Sequence, residues 1–211
     1  MAVTSLLSTL AKAVAGGEVR SRAKRSAKWF QDKLKGLKGE AKNRFSSTNP
    51  DKFYREAPNK IAPLGLKRRA ELGDLFCYHY NPKYKNTMRR SRKDGKLYSV
   101  LPYYDRFPLI MLIGADQDTF LGCNFHYLNP RFRAILLDKL TAKIGKGVPN
   151  WSKLSKIREI APTVKRYRFD HIQKKVVQIK EDEKELAIFL PLERFKKSSK
   201  SIVWSDSKGR F

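Results

Sequence analysis

Two runs of apolar residues around a short polar turn dominate the hydrophobic pattern of the chain. The first run occupies residues 109–113, the turn occupies residues 114–118, and the second run occupies residues 119–128. In the second run, large apolar side chains alternate with small or polar ones, and this period of two is typical of a half-buried strand. Two strands around a Gly/Asp turn form a β-hairpin. Because this segment is the most apolar in the chain, we predict that it forms the core.

A helix is predicted directly after this hairpin. Asn129 suits the N-cap of a helix and Pro130 suits its first position. The apolar residues that follow at helical spacing are Phe132, Ile135, Leu136 and Leu140. We expect Phe125 and Leu136 to be buried where the hairpin meets this helix.

The N-terminal part of the chain predicts a basic amphipathic helix. Between residues 18 and 37, apolar residues recur at steps of three and four and form a narrow stripe. The remaining faces are basic, and residues 12–44 contain 11 basic and 3 acidic residues. Several Pro, Gly, Ser and Asn residues in 39–66 indicate a linker, which Phe53 and Tyr54 tether to the body.

The rest of the chain predicts further strands and an exposed basic segment. Residues 72–80 form a strand, and residues 164–169 alternate as a half-exposed strand does. Between them, residues 83–96 are strongly basic and contain the turn signal Asp94-Gly95, which predicts an exposed loop or hairpin tip.

The C-terminal part completes the predicted fold. Residues 176–179 and 186–190 are two apolar runs that could pair, and a helix is expected to begin at Pro191. The fold class is therefore α+β, a small antiparallel sheet with packed helices at residues 67–211. A basic amphipathic N-terminal helical arm and its linker, residues 1–66, precede this body.

The net charge of the chain restricts the possible functions more than any sequence motif does. Lys and Arg number 46 against 20 Asp and Glu, which gives a net charge of +26. Such an excess repels itself and favours a polyanionic partner. Nucleic acid is the first candidate, and an anionic membrane surface or an acidic protein is the second. No window reaches the ~18 apolar residues of a membrane span, and we expect no membrane partner.

Two basic clusters supply the candidate DNA contacts. In the arm they are Arg20, Arg22, Lys24, Arg25, Lys28, Lys33, Lys35 and Lys38. In the segment 83–96 they are Lys85, Arg89, Arg90, Arg92, Lys93 and Lys96. A basic loop beside an aromatic strand suits phosphate contacts, which carry no sequence information.

No catalytic signature is present in the sequence. Cys77 and Cys123 lie in predicted strands and are expected to be buried free thiols. Asp116 and Asp118 have the spacing of a metal-binding pair, but they lie in a turn, where Asp is common in any case. We therefore expect no enzymatic activity, no metal and no cofactor, and a metal-dependent nuclease is a minor alternative.

Four blocks of sequence resemble a known family. They lie at residues 26–30, 101–109, 120–128 and 203–207. These blocks are similar to those of the DNA end protector proteins of T-even-like tailed bacteriophages, which are minor virion proteins of head completion. The resemblance implies binding to the ends of packaged linear double-stranded DNA and shielding from host exonuclease. It implies no catalytic residues.

This resemblance and the charge lead to one functional hypothesis and its alternatives. We expect a virion protein that binds double-stranded DNA ends without sequence specificity and contacts phage head, neck or tail proteins. We expect it in the virion, and in the host cytoplasm during assembly and after injection. The main alternative is a structural neck, head-completion or tail component whose basic surface faces DNA.

Overall fold

A computed structural model describes most of the chain after residue 48. The described residues are 39, 49–57, 59–130, 132–134, 136–137, 140 and 160–208. The basic helix predicted at residues 18–37 lies outside them, and its structure stays a prediction.

The described residues contain ten strands, four α-helices with complete bounds and four short 3₁₀ segments. The strands are β1 (Lys60–Ile61), β2 (Leu75–Cys77), β3 (Met88–Arg90), β4 (Leu97–Ser99), β5 (Tyr104–Asp105), β6 (Leu109–Ala115), β7 (Thr119–Asn124), β8 (Val164–Arg168), β9 (Val176–Ile179) and β10 (Phe195–Lys196). The helices are α1 (Pro50–Glu56), α2 (Pro63–Arg69), α3 (Lys184–Ala187) and α4 (Lys200–Lys208), and the 3₁₀ segments are Phe125–Tyr127, Ala161–Thr163, Phe169–His171 and Glu181–Glu183.

Six of the strands form one antiparallel sheet in the order β1-β9-β2-β6-β7-β8. Strands β3 and β4 form a separate ribbon, and β5 pairs with β10. The mixture of helices with antiparallel strands confirms the predicted α+β class.

The predicted central hairpin is present as β6 and β7. Met111 lies opposite Cys123, and the register shifts between Leu112 and Gly114. However, the prediction of a half-buried second strand is wrong, because β7 is buried on both faces after its first residue. One consequence is visible at Gly122, where a Cβ atom would lie 3.0 Å from the Cβ of Ile110.

Apolar clusters on opposite faces of the sheet explain this burial. Leu75 and Cys77 of β2 belong to the larger cluster, whereas Phe76 between them belongs to the smaller one. Successive strand residues point to opposite faces of a sheet, so the two clusters cover both sides. Cys77 and Cys123 are buried free cysteines, as predicted.

The helix after the hairpin begins where the sequence predicts. Asn129 Oδ1 accepts a hydrogen bond from the Phe132 N–H at 3.3 Å, and the residue that follows Asn129 is helical. The predicted second strand ends at Asn124, and Phe125 begins the 3₁₀ segment that follows it. Phe125 and Leu136 are both buried in the larger cluster, as predicted. Ile135 lies outside the described residues.

The prediction that residues 39–66 lack regular structure is wrong from Pro50 onwards. Asn49 caps α1, with its Oδ1 accepting the Asp51 N–H at 2.9 Å, and Phe53 of this helix is buried in the core. Strand β1 then pairs with β9 at the sheet edge. Phe53 therefore tethers this segment to the body as expected, while the division at residue 66 stays a prediction.

The C-terminal third differs most from the sequence-based expectation. Residues 176–179 do form a strand, but their partners are β1 and β2 and not residues 186–190. Residues 186–190 instead contain the end of α3 and a turn, and their side chains are buried. The helix expected at Pro191 is also absent, since β10 follows and the next helix is α4.

Candidate nucleic-acid interface

Strands β3 and β4 form a two-stranded ribbon that projects the most basic part of the described chain. Arg89 lies opposite Tyr98 in the ribbon. At its tip, the Ser91 N–H donates to the Lys96 carbonyl at 2.8 Å. Gly95 has a φ of 69°, a left-handed conformation that glycine adopts without strain. The basic segment is thus a hairpin tip, as its turn signal predicts.

The cations of this ribbon are exposed and lack carboxylate partners. These exposed residues are Arg89, Arg90, Arg92, Lys93 and Lys96. Arg90 Nη1 donates to the Gly95 carbonyl at 3.0 Å, and no ion pair involves the five cations within the described part of the chain. Hydrogen bonds with the Ser91 side chain and with the Lys96 N–H lower the pKa of Asp94. The Asp94 carboxylate therefore caps the turn at the tip of the hairpin.

Lys85 has a different environment from the other five predicted contacts of this segment. It is half-buried, and its Nζ donates to Asn81 Oδ1 at 2.6 Å. Its carbonyl accepts a hydrogen bond from Lys197 Nζ. Lys85 therefore holds the base of the hairpin against the body, and its contact with DNA stays a prediction.

The eight predicted contacts of the arm lie outside the described residues. They are Arg20, Arg22, Lys24, Arg25, Lys28, Lys33, Lys35 and Lys38. The structure therefore does not bring them together with the ribbon, and their role stays a prediction.

A second basic surface, which the sequence reasoning did not select, lies on β8 at the edge of the sheet. Lys165 Nζ lies 4.2 Å from the centre of the Tyr127 ring. Arg166 and Arg168 carry carboxylate partners, at 2.9 Å from Asp116 and 2.8 Å from Asp170. The alternation of basic residues in this strand was the available signal, but its position at the sheet edge depends on long-range pairing.

The histidines His126 and His79 have structural roles. His126 Nδ1 lies 2.6 Å from Asp105 Oδ2, and both side chains are buried, so a substrate cannot reach this pair. Burial and the nearby Lys174 lower the pKa of His79, which packs against Phe107 at 4.9 Å between ring centres. Both histidines therefore serve hydrogen bonding and packing within the fold.

One member of the possible metal-binding pair in the β6–β7 turn, Asp116, is occupied by contacts within the protein. Asp116 Oδ2 accepts hydrogen bonds from Arg166 Nη1 at 2.9 Å and from Thr119 Oγ1 at 3.3 Å. Among the residues that the structure describes, no group of three or more His, Cys, Asp or Glu side chains converges on a possible metal site. A search of the same residues finds no helix that could cross a membrane.

The antiparallel body with its exposed basic ribbon defines a protein suited to binding a polyanion. A family sequence model described as phage T4 terminal DNA protecting protein matches residues 65–208, which is more than half of the chain. The chain belongs to this family. The match confirms the resemblance found in the sequence, and with it the assignment to bacteriophage DNA-binding proteins of DNA end protection. No curated protein and no solved structure matches the chain.

Proposed function

We propose that this protein binds the ends of packaged linear double-stranded DNA without sequence specificity and shields them from host exonuclease. The observation that carries the proposal is the β3–β4 ribbon, whose five exposed cations have no carboxylate partner in the described chain. Family membership supports the link to DNA ends. The proposed role is non-enzymatic, because an end is protected by being covered.

The shape and charge of the ribbon suit a DNA duplex. The major groove of B-DNA, about 12 Å wide, admits a two-stranded β-ribbon. Lys and Arg along its edges then contact phosphates and release counterions, which supplies affinity for any sequence. Tyr98, Met88 and Leu97 are also exposed on the ribbon and add apolar contact area between the cations.

The basic face of the arm is the second proposed contact with DNA. Its net charge, from 11 basic and 3 acidic residues across 12–44, supplements that of the ribbon. Once the body has bound DNA, the arm is held close to adjacent phosphates, so its binding is intramolecular and the affinity of the whole protein for DNA increases. In the virion, the proposed partners are the genome end and a head, neck or tail protein. On injection, the protein enters the host cytoplasm bound to the DNA end.

Exonuclease protection tests this function directly. Linear duplex is incubated with the protein, a double-strand exonuclease is added, and the length of surviving DNA is followed over time. We expect the parent protein to prolong survival of the DNA ends for unrelated sequences of equal length. A nuclease would instead degrade the DNA when Mg²⁺ or Mn²⁺ is supplied without exonuclease.

Two charge-matched variants identify the contact surface. The ribbon variant replaces Arg89, Arg90, Arg92, Lys93 and Lys96 with Gln. The control replaces five exposed cations of other surfaces with Gln, namely Lys67, Arg68, Arg69, Lys175 and Lys180. Only the ribbon variant should lose protection, and its log–log salt slope should fall by about 0.9 for each phosphate contact removed.

The outcomes separate the possible roles. A third variant with Gln at Arg20, Arg22, Lys24, Arg25 and Lys28 measures the contribution of the arm by the same salt slope. If the parent protein leaves linear DNA as sensitive as naked DNA, and instead binds only a virion protein, the structural neck or tail alternative replaces the proposal.

A further inference from the structure

A cavity of about 500 Å³ lies at the base of the basic ribbon. It is walled by three segments that are distant in sequence, namely residues 80–84, 100–105 and 164–168, together with Thr119 and Tyr127. The first two of these segments connect the β3–β4 ribbon to the body, so the cavity lies next to the base of the proposed DNA-binding surface. Its volume lies within the roughly 300–1,000 Å³ typical of sites for small ligands.

Aromatic rings form much of the cavity wall. The tyrosines are Tyr80, Tyr84, Tyr104, Tyr127 and Tyr167. Tyr80 and Tyr167 are held rigidly in place, since Tyr80 Oη accepts the Arg168 N–H at 3.1 Å and Tyr167 Oη accepts from Asn124 Nδ2 at 3.1 Å. Tyr84, by contrast, is about half exposed at the rim. Tyr104 is half-buried, so Tyr84 and Tyr104 are the rings that a nucleobase of any kind can reach, while the three buried tyrosines form the floor behind them.

Lysine ammonium groups lie over two of these rings. Lys83 Nζ lies 5.7 Å from the centre of the Tyr84 ring, and Lys165 Nζ lies 4.2 Å from that of Tyr127. Both ammonium groups lie over a face of the ring, in cation–π contact, and such a lysine can bind the phosphate of a nucleotide whose base stacks on a neighbouring open ring face. The cavity thus presents, side by side, the two chemical features that a nucleotide requires.

Among the described residues of the wall, Asp105 is the one carboxylate, and both of its oxygens are engaged within the protein. Its Oδ1 accepts the N–H groups of Phe107 and Arg194, both at 3.0 Å. Its Oδ2 lies 2.6 Å from His126 Nδ1. Its charge is outweighed by four cations in the same wall, namely Lys83, Lys165, Arg166 and Arg168, so the cavity as a whole favours a phosphate.

We propose that this cavity receives the terminal nucleotide of a DNA strand, with its base against the tyrosines and its phosphate at Lys83 and Lys165. This inference rests on the proposed function, because it explains how a protein that binds any phosphate backbone recognises an end. The ribbon binds the duplex and the cavity binds the nucleotide at its terminus.

Base stacking makes such a cavity selective for ends. An internal base pair has a stacked neighbour on each side, and extruding its base requires breaking both contacts and the base pair. A terminal base has one stacking neighbour and frays readily. The terminal base therefore enters the cavity at lower cost than an internal one, although both present the same chemical groups.

The experiment compares terminal with internal base positions, and linear DNA with circular DNA that has no ends. A short blunt duplex carries 2-aminopurine, a fluorescent base, at its terminal position, and a second duplex carries it internally. The parent protein should change the fluorescence of the terminal probe and not that of the internal probe. In competition, it should prefer linear duplex to a covalently closed circle of the same sequence.

Two variants of the cavity should weaken both the fluorescence change and the preference for linear DNA. Lys83→Gln with Lys165→Gln removes the phosphate contacts, and Tyr84→Leu removes a stacking face at an exposed position. Each should reduce the preference for linear over circular DNA by about tenfold, the scale of one lost stacking or phosphate contact, while binding to the circle stays near that of the parent. The matched control, Lys175→Gln with Lys180→Gln, removes the same charge from exposed positions that flank β9, three strands from β7 in the sheet.

Each outcome separates this inference from the proposed function. If the parent protein protects DNA from exonuclease but binds linear and circular DNA equally, the cavity inference is overturned and the proposed function stands. If the cavity variants keep their end preference and instead lose incorporation into phage particles, the cavity binds a virion protein and the inference is again wrong. If circular dichroism shows that Tyr84→Leu is unfolded, the variant with Lys83→Gln and Lys165→Gln provides the test on its own.

Discussion

Arginine has opposite roles in two regions of this molecule. Arg133 is buried completely, and its Nε donates to the Leu128 carbonyl at 2.8 Å while its Nη1 donates to the Ile188 carbonyl at 3.0 Å. Its Nη2 lies 3.3 Å from Glu193 Oε1. Arg89 in the β3–β4 ribbon is exposed and has no carboxylate partner among the described residues.

Desolvation explains why the two regions differ. A charge that leaves water needs a partner and saturated hydrogen bonds, because an unpaired buried ion costs several kcal/mol. A charge that stays in water has no such need, and its solvation is exchanged for a phosphate contact only when DNA binds. The buried Arg133–Glu193 pair therefore joins two elements of the fold, whereas the exposed cations of the ribbon are available for phosphate contacts.

The buried pair also connects regions that are distant in sequence. Arg133 lies on the helix that follows the central hairpin, and Glu193 lies just before β10. Nearby, Asp105 and His126 form a second buried pair, and the Arg194 N–H donates to Asp105 Oδ1 at 3.0 Å. The C-terminal segment is thus fixed to the core by hydrogen-bonded charges as well as by apolar contacts.

The largest expected effect comes from breaking the buried pair. Arg133→Met should lower the free energy of unfolding by about 3–5 kcal/mol, because Glu193 then stays buried without its cation. Chemical denaturation with urea measures this change. The matched substitution Arg90→Met on the ribbon should leave stability near that of the parent protein.

Replacing both members of the buried pair sharpens the comparison. Arg133→Met combined with Glu193→Leu should recover most of the lost stability, since apolar pairs of similar volume often replace buried ion pairs without loss. If Arg133→Met and Arg90→Met had equal effects on unfolding, the distinction between structural and functional arginines would be wrong.

Much of the central fold was predictable because its contacts are local. The β6–β7 hairpin, the helix start at Asn129 and the hairpin tip at Asp94-Gly95 all follow from neighbouring residues. The same Asn-Pro signal was missed at Asn49, where surrounding Ser and Pro residues favoured a linker. A cap in a turn-rich segment is distinguished from a turn by the burial of Phe53, which only the folded core decides.

The C-terminal part was mispredicted because its structure depends on distant partners. The apolar run 186–190 has the composition of a strand, yet the place beside β9 is taken by β1 and β2. Charge and turn chemistry identified the ribbon. The cavity at its base was not predictable, because it combines three segments whose proximity follows from the sheet order.

A smaller effect is expected from protonating the buried carboxylates. Burial alone raises the pKa of Glu193, but Arg133, His126 and further contacts outweigh it and hold the pKa below the ordinary value of 4.5. A carboxylate with a lowered folded-state pKa contributes stability above its unfolded-state pKa, and that contribution is lost as pH falls through the folded-state value. The parent protein should therefore lose stability below about pH 4.5.

The control for this acid effect is Glu193→Gln, which cannot titrate at that position. The difference in unfolding free energy between parent and variant, measured by urea denaturation at stepwise lower pH, should shrink as the pH falls below 4.5. A difference that stays constant across this range would show that Glu193 does not supply the acid sensitivity. Asp105, whose pKa is also lowered against the effect of burial, mainly by His126, should titrate in the same direction.

The smallest effect concerns the hydrogen bond that joins α4 to the core. Trp204 Nε1–H donates to the His126 carbonyl at 2.9 Å, directly beside the buried Asp105–His126 pair. Trp204→Phe keeps an aromatic ring but removes this donor, and it should cost about 1 kcal/mol, the net value of one hydrogen bond. Ile202→Ala, on an exposed position of the same helix, is the matched control. The melting temperatures of the two variants are compared by thermal unfolding. DNA binding should be unchanged in both, because neither substitution removes a charge or lies on the ribbon or in the cavity wall. Equal melting temperatures would show that apolar packing of Val203 alone holds α4 in place.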